Sequence, residues 1–121
     1  MSDFRLKKLF RLRKKKDIKL CQNSGTRLYA KHFALFVRPS SQDVSRLAIA
    51  VTKKLEKRAA VRNKIKRRIR EVFRLHRSTF LQPIDLVVVA RRGIQLCSYH
   101  DYEREILGVL RAKGFVARES K

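Results

Sequence analysis

The residues with the most pointed chemistry lie between positions 62 and 70. Arg62, Asn63, Lys64, Lys66, Arg67, Arg68 and Arg70 crowd into one short stretch, followed closely by Arg74. Their chemistry is electrostatic. At helical spacing Arg62, Lys66, Arg70 and Arg74 stack four apart, and each like-charged pair costs a bare helix about 0.2–0.5 kcal/mol. Glu71 is the only acid within the run. Such a face lowers its energy by meeting a polyanion. If about six of its cations neutralised phosphates, affinity would fall roughly a thousandfold between 50 and 200 mM salt.

Catalytic chemistry is poorly supplied. His32, His76 and His100 have no ligand spacing with each other or with Cys21 and Cys97, which argues against a zinc site. His76 suits the end of a basic helix, where a cation complements the dipole. Ion pairing accounts for Asp85 and Glu71. No glycine-rich phosphate loop or serine nucleophile motif is present, and the carboxylates are too scattered to hold catalytic metal ions. The expected set is therefore one without catalytic or metal-binding residues.

Composition points the same way. The 121 residues carry a net charge of +22, from 32 basic and 10 acidic side chains. With 44% hydrophobic residues the chain can build a core and is not merely a basic tail. A charge of this size favours nucleic acid first and an anionic membrane surface second. No stretch has the length of a membrane span or a signal peptide, and two distant cysteines read as free thiols. A cytoplasmic protein is expected, one RNA-binding domain over residues 1–121. Residues 1–13 would be a basic leader that orders partly on the domain or on RNA, and 115–121 a basic tail.

The basic run needs a scaffold. Val61, Ile65, Ile69, Val72 and Phe73 recur at helical spacing and predict a helix over 59–76, anchored along a narrow apolar stripe. A short helix over 14–24 precedes it, with Gly25 as its stop. Strands are expected at 26–30, 33–38 and 46–52, and short connections suggest that these three pair antiparallel. Residues 85–90 form a β-branched run that reads as a strand buried on both faces. A strand, a crossover helix and a second strand imply a parallel pair. A last helix runs from 98 or 100 to 113, with Gly114 as its stop, and Phe115 and Val116 pack back.

Alternation divides the strands into two faces. Phe33, Leu35, Val37, Leu47, Ile49 and Val51 share the core side. Ala34, Phe36, Arg38, Ala48, Ala50 and Thr52 share the other. A face paved with alanines leaves a shallow groove in which Phe36 could stack a base. The competing reading has the first helix lying on those alanines and burying Phe36.

The run Arg62-Asn63-Lys64-Ile65-Lys66-Arg67, followed by Arg70-Glu71 and Phe73-Arg74, resembles the signature of the bacterial ribonuclease P protein component. The resemblance extends upstream to Thr52-Lys53-Lys54 and downstream to Asp85-Leu86-Val87-Val88-Val89-Ala90-Arg91. Arg11-Leu12, Asp17 and Gly25-Thr26 also fit, so residues 11 to 113 are covered. The resemblance implies an α+β sandwich of order α-β-β-β-α-β-α, like a ribosomal-protein domain, with a left-handed β-α-β crossover. It implies a non-catalytic subunit of a ribonucleoprotein endonuclease. The large catalytic RNA, using magnesium, removes the 5′ leader of precursor tRNA, and the protein binds no cofactor of its own.

Carried onto this sequence, Arg62, Asn63, Lys64, Lys66, Arg67 and Arg70 would contact the catalytic RNA, and Arg68 joins them on charge. Phe36 and Ala34 would floor the leader cleft beside Ile18, with Lys54 and Arg11 on its rim. Lys64 stands where the family usually has arginine, which loses bidentate reach. Ile18 and Gln22 stand where aromatics are common, so leader contact should lean less on stacking. The partners implied are the catalytic RNA and precursor tRNA, with neither membrane nor DNA. A ribosomal or other structured-RNA-binding protein without a processing role is the alternative. Membrane activity of residues 1–16 is a third reading, and the strands argue against a helix-turn-helix DNA reader.

Overall fold

The computed structural model of the chain describes residues 8–117. Its helices are α1 (Lys15–Ser24), α2 (Ala59–His76) and α3 (Tyr99–Ala112). Its strands are β1 (Thr26–Tyr29), β2 (Phe33–Pro39), β3 (Arg46–Ala50) and β4 (Ile84–Ala90). Short 3-10 turns occupy Lys8–Phe10, Arg77–Thr79 and Ile94–Leu96. Along the chain the order is the expected α-β-β-β-α-β-α.

The four strands form one mixed sheet in the order β1-β2-β4-β3. β1 and β2 are an antiparallel hairpin, and β2 pairs antiparallel with β4. β3 runs parallel to β4, as the crossover through α2 requires. This corrects the expectation that the first three strands pair in sequence. β4 slots between β2 and β3 because Ile84, Leu86 and Val88 face one layer while Val87 is buried against the other. A strand apolar on both faces gains most from a central place.

The expected division of faces holds. Phe33, Leu35, Val37, Leu47 and Val51 are buried on the side covered by α2 and α3, and Ile49 packs half-buried beside them. Ile65, Ile69, Val72 and Phe73 enter the same core from α2. Tyr102 of α3 meets Phe33 edge-on, with ring centres 5.3 Å apart. The other face carries α1, whose Cys21 and Ile18 pack with Leu12, Val87, Phe36 and Ala48.

Local stop and start signals have identifiable causes. Ser98 and Asp101 form a reciprocal capping box at the start of α3. Its end is a Schellman motif: Phe115 donates to the Leu110 carbonyl, Gly114 donates to Arg111, and Gly114 takes φ 81°. Gly25 stops α1 for a different reason. Its φ is −77°, but a Cβ there would lie 2.4 Å from the Cys21 carbonyl oxygen and 2.8 Å from that of Val37. Close approach of α1 to β2, not a left-handed turn, demands glycine.

Residues 8–13, part of the expected leader, lie on the domain. Leu12 is buried, and its amide donates to the Leu47 carbonyl at 2.9 Å, lining the outer edge of β3. The Arg77 guanidinium sits 3.7 Å above the centre of the Phe10 ring. Val116 is buried and bridges Phe80, so the start of the expected 115–121 tail packs on the domain. Residues 1–7 and 118–121 lie outside the described residues.

The apolar stripe of α2 should govern stability and its outer surface should not. Ile69→Ala should lower the unfolding free energy by about 2–5 kcal/mol in urea titrations. Lys64→Ala on the exposed side should stay within about 0.5 kcal/mol.

Candidate nucleic-acid interface

A helix that turns about 100° per residue spreads its cations around the buried stripe in separate bands. Lys66 and Arg70 flank the stripe on the side of β3 and are half-buried. Asn63, Lys64 and Arg67 point outward and are exposed. The remaining two cations of the predicted set are tied to the fold. Arg62 Nη1 donates to the carbonyls of Glu56 and Lys57, at 2.9 and 2.8 Å. Arg68 lies on the opposite flank, where Nη1 donates to the Cys97 carbonyl at 2.9 Å and the guanidinium covers Tyr102.

Lys66 and Arg70 border an open cleft of about 570 Å³. Its other walls are Arg11, Leu12 and Arg13 from the N-terminal segment, Ile18 from α1, and Leu47, Ala48 and Ile49 from β3. No acidic side chain lines it among the described residues. Burial, and then the neighbouring Arg11 guanidinium, push the Arg70 pKa down from its ordinary value. The direction registers lost hydration first and the neighbouring cation second, and an anion in the cleft would offset both.

The sheet continues this cleft inward. Register places Arg27, Phe36, Val87 and Ala48 in one row across the α1 side of the sheet. The next row is Tyr29, Ala34, Val89 and Ala50. α1 settles over the first of these rows, where Val87 is buried, but leaves Phe36 only half-buried. Neither reading of the alanine face holds alone: α1 covers part of it, and the rest stays open. Of the predicted leader-cleft residues, Ile18 and Arg11 line the cleft, and Phe36 and Ala34 lie on the same sheet face beyond β4. Lys54 sits exposed on the turn after β3.

The entry to α2 is fixed by Glu56, which sequence reasoning passed over. One carboxylate oxygen accepts from the Arg58 amide and Nε at 2.8 and 2.9 Å. The other accepts from Arg58 Nη2 at 3.0 Å and Gln95 Nε2 at 3.3 Å. The Arg58 guanidinium, then its amide, hold the Glu56 carboxyl at about 2. No acidic residue stands in the first turn of α2, so its amide end presents partial positive charge beside Asn63.

The structure also gathers His32, Cys97 and Glu105, whose sequence separations gave no hint of contact. Their ligand atoms lie within 4.8 Å of one another. Glu105 accepts from the His32 amide and pairs with Nδ1, both at 2.7 Å, and the Cys97 thiol lies 3.3 Å from the same nitrogen. This cluster ties α3 to the β1–β2 turn, away from the cleft.

The family model for ribonuclease P matches residues 6–113. The chain belongs to the bacterial ribonuclease P protein family. It is similar to the ribonuclease P protein component of Syntrophus aciditrophicus, 40% identical over 93% of each chain. A Streptococcus pneumoniae relative is 33% identical over 88% of this chain and 85% of its own. Among solved structures, a Staphylococcus aureus ribonuclease P protein superposes with TM-score 0.78 at 32% identity, covering 88% of this chain and 97% of that one. The Thermotoga maritima protein gives 0.75 at 30%, over 84% and 96%. The chain is thus the non-catalytic protein subunit of ribonuclease P. It binds the catalytic RNA and precursor tRNA and supports removal of the 5′ leader.

Glu56 sets a pH dependence. A carboxyl held at about 2 when folded, against an ordinary 4.5, stabilises the fold fully above about pH 4.5 and loses that contribution as pH falls towards 2. In thermal melts Glu56→Gln should be less stable than wild type at pH 7. The gap should narrow through that acid window, and a gap independent of pH would assign the loss to packing.

Proposed function

We propose that one continuous surface divides the two RNA tasks. Asn63, Lys64, Lys66, Arg67 and Arg70 seat the catalytic RNA along the outer and β3-facing sides of α2. The 5′ leader enters between Arg11, Ile18 and β3 and continues over Ala48, Phe36 and Ala34, with Lys54 at the rim. The observation that carries this reading is the acid-free cleft on which Lys66 and Arg70 converge with Ile18 and Ala48. Phosphates need the cations, and unstacked bases need an apolar floor. Arg62 and Arg68 act one step back, by holding the start of α2 and its contact with α3.

The catalytic RNA supplies the bond-breaking chemistry with magnesium, and this chain supplies position and charge. The proposal includes a cytoplasmic setting, supported by two cysteines that are both free thiols. No described helix is long and apolar enough to cross a membrane.

Reconstitution at low magnesium with the cognate catalytic RNA and precursor tRNA tests the division. Lys66→Ala and Arg70→Ala should each weaken RNA binding and make the logarithmic salt slope shallower by about one per lost phosphate contact. Arg68→Ala should lower the melting temperature and leave the slope unchanged. A full slope in both the Lys66 and Arg70 variants would remove the β3-facing side of α2 from the RNA interface.

A further inference from the structure

The open row of the sheet ends in an aromatic ring that the cleft as drawn does not use. Tyr29, the last residue of β1, is 62% exposed. It pairs with Ala34, so it stands on the α1 side of the sheet, one row beyond Phe36. The guanidinium of Arg91 lies 5.7 Å from the centre of its ring, and Nη1 of Arg91 donates to the Ala30 carbonyl at 3.2 Å. In the neighbouring row Arg27 stands 5.9 Å from the Phe36 ring. The β1–β2 half of this face therefore carries two aromatic–arginine pairs, side by side and one row apart.

Rows on one sheet face are separated by two residues of strand, about 6.6 Å. That step is within reach of successive nucleotides in an extended single strand, whose bases stack on aromatic rings with little sequence preference. Each pair also sets a cation beside the ring to meet the following phosphate. An exposed tyrosine needs no such arrangement for stability.

We propose that Tyr29, with Arg91, is a nucleobase-stacking subsite that takes one unpaired base of the 5′ leader beyond the base at Phe36. The subsite rests on the leader path given above. It also answers the loss of aromatics at Ile18 and Gln22, because stacking missing from α1 is regained on β1.

The test uses holoenzyme assembled from the full chain and catalytic RNA, with affinities measured for precursor tRNAs of stepped leader length and for mature tRNA. Tyr29→Ala should weaken long-leader substrates about tenfold. It should leave mature tRNA unchanged, and the deficit should vanish once the leader is too short to reach β1. Tyr29→Phe should bind like wild type. A single abasic leader position should reproduce the Tyr29→Ala loss, with no further loss in combination. Wild-type affinity of Tyr29→Ala for every leader, or an equal loss for mature tRNA, would overturn the subsite. Phe36→Ala separates the two levels. A leader-dependent loss in Phe36→Ala alone leaves the cleft standing without Tyr29. No leader-dependent loss in either variant defeats the cleft itself.

Discussion

The burial of one edge of α2 is the constraint on which the rest depends. Arg62, Lys66, Arg70 and Arg74 repel along one side of the helix, at about 0.2–0.5 kcal/mol per neighbouring pair. Against this, each fully buried side chain of Ile65, Ile69, Val72 and Phe73 is worth about 1.5–3 kcal/mol. The anchor exceeds the repulsion several-fold, so the helix holds its form before any RNA arrives. Binding then need not bear the cost of ordering it, and the cations meet phosphate already in place.

The few acids reinforce this arrangement by where they are used. Asp85, buried, takes Arg46 in a two-pronged pair at 2.8 and 2.9 Å, and Asp17 of α1 approaches the same arginine. Glu56 holds Arg58, Glu71 holds Arg74, and Asp101 holds Arg104. Glu103 and Glu105 pair with His76 and His32. Apart from Glu71, whose partner lies one turn on within α2, these carboxylates join elements or close a turn, and none lines the cleft. Among the described residues most negative charge thus serves structural joints, and the lining of the cleft stays free of acids.

What the sequence discloses, and what it hides, follows from the range of the interactions. The stripe of α2, the two faces of the sheet and the doubly buried β4 are local periodicities, and they are legible. Strand order is not, because the place of β4 between β2 and β3 is decided by burial on both faces rather than by connection length. The site divides in the same way. Lys66 and Arg70 are visible as cations, but their sharing a cleft with Arg11 and Ile18 depends on how the N-terminal segment lines β3. Arg62 and Arg68 look like the other cations of the run. Only the carbonyls of Glu56, Lys57 and Cys97 set them apart, and those come from other elements.

The half-covered alanine face shows how a competing structural demand can make a site. If α1 lay across the whole sheet, Phe36 and Ala34 would be core. If it were absent, Val87 and Phe36 would form an exposed apolar patch. Glycine at position 25 lets the chain turn against the Val37 carbonyl and leave α1 at once for β1, so the helix ends where β1 begins, beside the C-terminal end of β2. Cys21 then holds the helix down, its thiol directed at the carbonyls of Phe36 and Asp85 at 3.3 and 3.4 Å. Burial, more than the nearby Asp85, pushes that thiol up to about 11, so it keeps its proton and remains a donor throughout the neutral range. The helix is thereby held over Val87 while the row of Ala34 and Ala50 stays only half-buried, and small side chains there keep the opening shallow enough for a flat base.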